Sequence, residues 1–164
     1  MKRILPVLIC VLLLVGCVSA SGSLYRHPAF TISLPEPFEP VGQSGVVCFA
    51  PYGDPLLSSS VTFSVTEQNW YFDSFTEEEY EESLRTLCGY ETLSVVSLDK
   101  CSVDGNAAHR IACKVQIDQG IHDLIVYAIK ADRTYIITLL NREGDPYISA
   151  IDSMMSTLHL TEGK

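Results

Sequence analysis

Six cysteines and four histidines are the side chains best suited to chemistry in this 164-residue chain, and their spacing limits what they can do together. His27, His109, His122 and His159 fall in four separate segments. Cys48, Cys88, Cys101 and Cys113 contain no Cys-x-x-Cys pair, so the spacing of a structural zinc site is missing. The sequence Gly42-Gln43-Ser44-Gly45 lacks the second spacer of a nucleophile elbow and precedes a strand, not a helix. There is no phosphate-binding loop, dinucleotide fingerprint or zinc-protease helix. The acids Glu77, Glu78, Glu79, Glu81 and Glu82 lack the oxygen-rich loop of a calcium site and read as a solvated helix face. His109 reads as a satisfied strand residue. No catalytic set, metal or cofactor is expected.

The exception is Cys17. The segment Ile4 to Gly16 is 13 residues long and apolar, preceded by Lys2 and Arg3. A membrane span needs about 20 residues, so the segment has the make-up of an export signal instead. Its end, Leu14-Val15-Gly16-Cys17, resembles a bacterial lipoprotein signal, with Leu three positions before the cysteine and a small residue next to it. The resemblance implies cleavage before Cys17 and a diacylglyceryl group on its sulfur. The rival cut follows Val18-Ser19-Ala20 and would release a soluble chain beginning at Ser21. On the first reading residues 1–16 are the signal peptide. Residues 17–24, rich in Ser and Gly, form a flexible tether. Residues 25–161 form one domain on the extracytoplasmic face of the cell membrane or outer membrane.

Export bears on the other cysteines. An even number in an exported chain suggests disulfides; four buried free thiols are the alternative. If Asp104-Gly105 is a tight turn, facing residue numbers sum to about 209. Cys101 then faces Ala108, and Cys113 lies about 16 Å further along, beyond the roughly 7 Å a bridge allows. A bond, if one forms, joins Cys88 to Cys48 or Cys113. The net charge of −9 becomes −11 once Lys2 and Arg3 are removed with the signal. Such a surface argues against nucleic acid and anionic headgroups as partners. The densest aromatic cluster is Trp70, Tyr71, Phe72 and Phe75. It either covers a sheet edge and staples a helix entry or offers Trp70, Tyr71 and Phe75 to a protein partner.

These residues must be positioned by strands and two helices. Alternation predicts strands at Phe30–Leu34, Val46–Ala50 and about Ser59–Gln68, the last with Val61, Phe63 and Val65 on one face. The prolines between Pro35 and Pro40 cannot continue a central strand. Thr76 with Glu79 forms a capping box that starts a helix through Tyr80, Leu84, Leu87 and Cys88, closed by Gly89. A four-strand meander follows from about Thr92, turning at Asp104-Gly105, Gln119-Gly120 and Ala131-Asp132-Arg133. A last helix is expected from Asp145, with Pro146 at its first position and Ile148, Ile151, Met155 and Leu158 as its buried stripe. The class is α+β, an antiparallel sheet covered by helices.

Four stretches carry a family resemblance: Phe30-Thr31-Ile32-Ser33-Leu34-Pro35, Gly105-Asn106-Ala107-Ala108-His109-Arg110-Ile111, Tyr135-Ile136-Ile137-Thr138-Leu139, and Ile151-Asp152-Ser153-Met154-Met155-Ser156-Thr157-Leu158. With the element order, they make the chain similar, over about Tyr25 to Leu160, to the PsbP-like family. That family includes photosystem PsbP proteins, bacterial DcrB-type lipoproteins and a nuclear-import factor. The resemblance implies an α/β/α sandwich and a binding or assembly role, with no catalytic residues to carry over. The function expected is a membrane-anchored, non-catalytic domain that binds a protein partner or aids an envelope assembly. The alternative is a carrier of a small molecule or metal.

Overall fold

The structure is a computed structural model that describes residues 22–43, 46–56, 58–67, 73–118, 120–142 and 144–161. Among these residues ten strands and two helices run in the order β1 (Ser23–His27), β2 (Phe30–Leu34), β3 (Phe38–Gln43), β4 (Val46–Pro51), β5 (Ser60–Thr66), α1 (Glu77–Cys88), β6 (Leu93–Val103), β7 (Asn106–Ile117), β8 (Gly120–Lys130), β9 (Thr134–Asn141), α2 (Ile148–Met155) and β10 (His159–Leu160). A seven-stranded antiparallel sheet has the order β3-β4-β5-β9-β8-β7-β6, and a small sheet has the order β1-β2-β10. No helix among the described residues is long and apolar enough to cross a membrane.

Alternation along the central strands fills both faces of the large sheet. Tyr135, Ile137 and Leu139 of β9 pack with Phe49, Val61 and Phe63 against the small sheet and α2, through Phe30, Ile32, Ile151 and Met154. Phe30 stacks on Phe63 at 4.4 Å between ring centroids, and Tyr25 meets Phe49 edge-on at 4.9 Å. Ile136 and Leu140 point the other way. They join Leu124, Val126, Ile111, Cys113 and Val115 beneath Tyr80 and Leu84 of α1. The layers are therefore α1, the large sheet, and α2 with the small sheet.

The α1 entry follows the expected chemistry. The Glu79 amide donates to Thr76 Oγ1 at 3.3 Å, and the Thr76 amide donates to the Glu79 carboxylate at 2.8 Å. Gly89 closes the helix at φ 72°, a left-handed conformation glycine adopts without a steric cost. The Asp104-Gly105 turn has positive φ at both residues, as a two-residue hairpin turn requires. Cys101 faces Ala108 in the resulting register. A bulge between Val95 and Ser97 then shifts the pairing, so that Cys113 faces Val95.

Several elements differ from expectation. β1 takes in Ser23 and Leu24, assigned above to the tether, because they pair with Leu34 and Ser33. β3 contains Pro40 and still forms, because it is an edge strand and leaves a missing amide unanswered without penalty. α2 begins at Ile148, three residues later than expected. Asp145 is occupied elsewhere: its carboxylate accepts the amides of Ser59 and, at 2.8 Å, of Tyr147. The buried stripe is accordingly Ile151, Met154 and, beyond the helix, Leu158, whereas Ile148 is exposed and Met155 half-buried.

Candidate functional site

Cys17, Trp70, Tyr71 and Phe72 lie outside the described residues. Phe75 is described, immediately before the Thr76 cap. Its ring meets Tyr80 edge-on at 5.1 Å between centroids, the contact of a hydrophobic staple that fixes the angle at which the chain enters a helix. Phe75 also packs against the α1-side core. This aromatic therefore serves the helix entry.

Beside it lies the most chemically suggestive pair in the core. The Tyr80 hydroxyl and His109 Nδ1 are 2.7 Å apart, and each residue is about 1% exposed. Burial lowers the pKa of His109; Lys100 lowers it further and Asp73 opposes this. The imidazole is thus held neutral at pH 7. A neutral imidazole bonded to a phenol could move a proton, but no solvent-borne substrate reaches a pair so deeply covered. It locks α1 onto β7.

All four described cysteines are free thiols. Neither a Cys88–Cys48 nor a Cys88–Cys113 bond is present. The strand order gives the reason for the first: Cys48 sits on β4, with three strands between it and β7, and Thr62 Oγ1 lies 3.7 Å from its sulfur. Cys88 and Cys113 share the core under α1. Burial pushes the Cys88 thiol up to about 11. Burial, reinforced by Cys88 and Glu81, pushes Cys113 up to about 12. Thiols so far from ionisation are poor nucleophiles and poor metal ligands. Cys101 packs on the opposite face of the sheet. Among the described residues no three of His, Cys, Asp and Glu converge to hold a metal.

Open space occurs instead at one end of the large sheet, a feature with no linear signature. Two adjoining open clefts of about 310 and 440 Å³ share Glu91, Thr92 and Gln116. The first is walled by Arg85, Leu93, Lys114, Val115 and Ile121, the second by Tyr90 and Ile117. Ile121 is 64% exposed at the rim. Arg85 is already committed: its Nε donates to the Leu93 carbonyl at 3.0 Å, and its guanidinium pairs with Glu81 at 2.6 Å. Glu81 also accepts the Val95 amide at 3.0 Å. These contacts cap part of the exposed edge of β6. Lys114 pairs with Asp123 at 2.6 Å. The result is a shallow surface with an apolar floor and a charged rim, the make-up of a protein-contact patch.

With that geometry in hand, comparison with solved structures decides the fold. Cyanobacterial PsbP (CyanoP) from Synechocystis sp. PCC 6803 superposes with a TM-score of 0.65 at 14% identity, covering 89% of this chain and 96% of that one. The fold is PsbP-like. A Pseudomonas aeruginosa protein of unknown function, PA94, matches at a TM-score of 0.54 and 20% identity, over 87% of this chain and 99% of its own. LpqN, involved in cell envelope biogenesis of Mycobacterium tuberculosis, matches at 0.54 and 8%, over 88% and 87%. No protein-family model matches the sequence, and no curated protein is significantly similar to it. At these identities the likeness concerns the fold, which hosts unrelated roles.

Proposed function

We propose that this chain is a lipid-anchored domain of the bacterial cell envelope that binds a protein partner and performs no catalysis. One observation carries the binding reading. The Tyr80–His109 pair and Cys113 are buried, Cys88 is half-buried with its thiol pushed far from ionisation, and His27, His122 and His159 lie on separate strands, while the accessible relief is the open cleft beside Ile121. A carrier needs a concave site that encloses most of its ligand; the shape of these clefts favours a protein surface. The anchor reading rests on Leu14-Val15-Gly16-Cys17. It is supported by the role of LpqN, a protein of the same fold, in envelope biogenesis. Trp70 and Tyr71 remain candidates for a second part of the partner surface.

The test is chemical crosslinking in the protein's own membranes. The native chain should yield a defined crosslinked partner. Ile121→Asp should lose it while melting unchanged, because the side chain is exposed. Trp70→Ala reports on the second surface. Partner capture unaffected by either substitution would remove both surfaces from the proposal.

A further inference from the structure

We propose that the end of the domain next to the tether rests on the bilayer surface through Tyr52, Leu56 and Ile148, an inference built on the lipid-anchor reading of Cys17. The chain emerges at a fixed point. Gly22 lies against β2 so closely that an added Cβ would sit 2.6 Å from the Leu34 carbonyl oxygen. From there a series of contacts leads along the same end of the molecule. The Phe38 amide donates to the Pro35 carbonyl at 2.8 Å, and the Tyr52 amide to the Pro37 carbonyl at 2.9 Å. Phe38 pairs with Pro51, and the Phe38 and Tyr52 rings both meet Tyr147 edge-on, at 6.2 and 6.4 Å.

The side chains displayed there are unusually apolar for a solvent-facing corner. Tyr52 is 72% and Leu56 77% exposed, and Ile148 is exposed beside Tyr147. Tyr52 and Leu56 lie on a turn with a defined backbone. Tyr52 has φ 54°, which a bulky residue seldom adopts. The Leu56 amide donates to Asp54 Oδ1 at 3.0 Å, closing a local turn. Tyrosine with neighbouring aliphatic groups suits the membrane–water interface.

Chain length selects the bilayer as occupant. Five residue steps separate Cys17 from Gly22, a reach of at most about 18 Å. A compact domain of this size is on the order of 35–40 Å across. A tether shorter than the domain cannot let the far end, which carries Asp104 and Ala131–Arg133, turn down to the membrane. The near end is kept at the surface, where high effective concentration makes even a weak apolar contact count. Glu36 and Glu39 are exposed at this end and Asp54 is half-buried. They disfavour anionic headgroups, so the contact fits zwitterionic lipid.

The test uses the full lipidated chain with Leu56→Trp, reconstituted in phosphatidylcholine vesicles with brominated acyl chains. The native protein, whose one tryptophan is Trp70, supplies the baseline. The added tryptophan should be blue-shifted and quenched. Both effects should shrink when phosphatidylglycerol is included or when Tyr52→Asp and Ile148→Asp are added. No quenching beyond the baseline, in protein whose mass shows lipid on Cys17, would overturn the docking while leaving the anchor standing. A blue shift that grows with protein density without quenching would assign this end to a second copy of the chain and overturn the proposal. An unmodified terminus at Ser21 would overturn anchor and docking together.

Discussion

The buried Tyr80–His109 pair shows how a residue with catalytic potential becomes structural. Tyr80→Phe removes one hydroxyl and leaves His109 Nδ1 without this partner, which should cost roughly 1–3 kcal/mol, measured by urea unfolding. The pair also sets a pH dependence. An unfolded histidine protonates near pH 6.5, and burial lowers the folded value below that. On acidification the unfolded chain takes up the proton first. Stability should therefore fall as pH drops through about 6.5 and level off once pH is below the folded value. His109→Gln should flatten that fall; the same pH slope in the variant would show that another group sets it. The cysteines allow a second check. With the Cys88 and Cys113 thiols near 11 and 12, an alkylating reagent at neutral pH should leave both unmodified in the folded chain. Denaturation without reductant should release Cys48, Cys88, Cys101 and Cys113 together for labelling. Recovery of only two labelled thiols would reveal a disulfide.

Helices and strands differ in how much of their cause is local. The start of α1 is written in consecutive residues: Phe75 staples, Thr76 caps and Glu79 answers the cap. Thr76→Ala should cost about 1 kcal/mol, within the 0.5–2 kcal/mol usual for such caps, read as a shift in the denaturation midpoint. The Asp104-Gly105 turn is local in the same way, and the expected register held from Val103 back to Ser97. What lies beyond reach of a local reading depends on distant partners. β1 looks like tether because Ser23 and Leu24 gain their strand only by pairing with β2. β3 forms across Pro40 because, among the described residues, it is an edge strand of the sheet. α2 starts late because Asp145 binds Ser59, which is 86 residues away in sequence. The closing helix is nonetheless part of the core. Ile151 is 1% exposed and packs with Phe30, Ile137 and Met154, so Ile151→Ala should cost about 2–5 kcal/mol. Truncation at Glu143 would remove Ile151, Met154 and Leu158 together and should leave the chain unable to melt cooperatively. A truncated chain with an unchanged melting midpoint would refute the role given to α2.

At the scale of the whole molecule, the proposed function divides between a linear signal and a folded surface. Leu14-Val15-Gly16-Cys17 is legible in sequence because the proposed processing signal consists of consecutive residues and needs no distant partner. The cleft beside Ile121 is not legible. It is assembled from α1, the chain before β6, and β6, β7 and β8, and Ile121 in isolation reads as an ordinary strand residue. The same holds for the corner formed by Tyr52, Leu56 and Ile148, which two hairpins, the long-range pairing of β5 with β9 and the path of α2 bring to the tether end. On the proposed lipid-anchored reading, both surfaces take their meaning from the anchor, which would set the end of the sheet that faces the bilayer. Mass spectrometry of the N-terminal peptide, taken from protein extracted from its own membranes, tests that anchor most directly. The expected species begins at Cys17 and carries a diacylglyceryl group on the sulfur. An unmodified chain beginning at Ser21 would contradict the lipid-anchored reading.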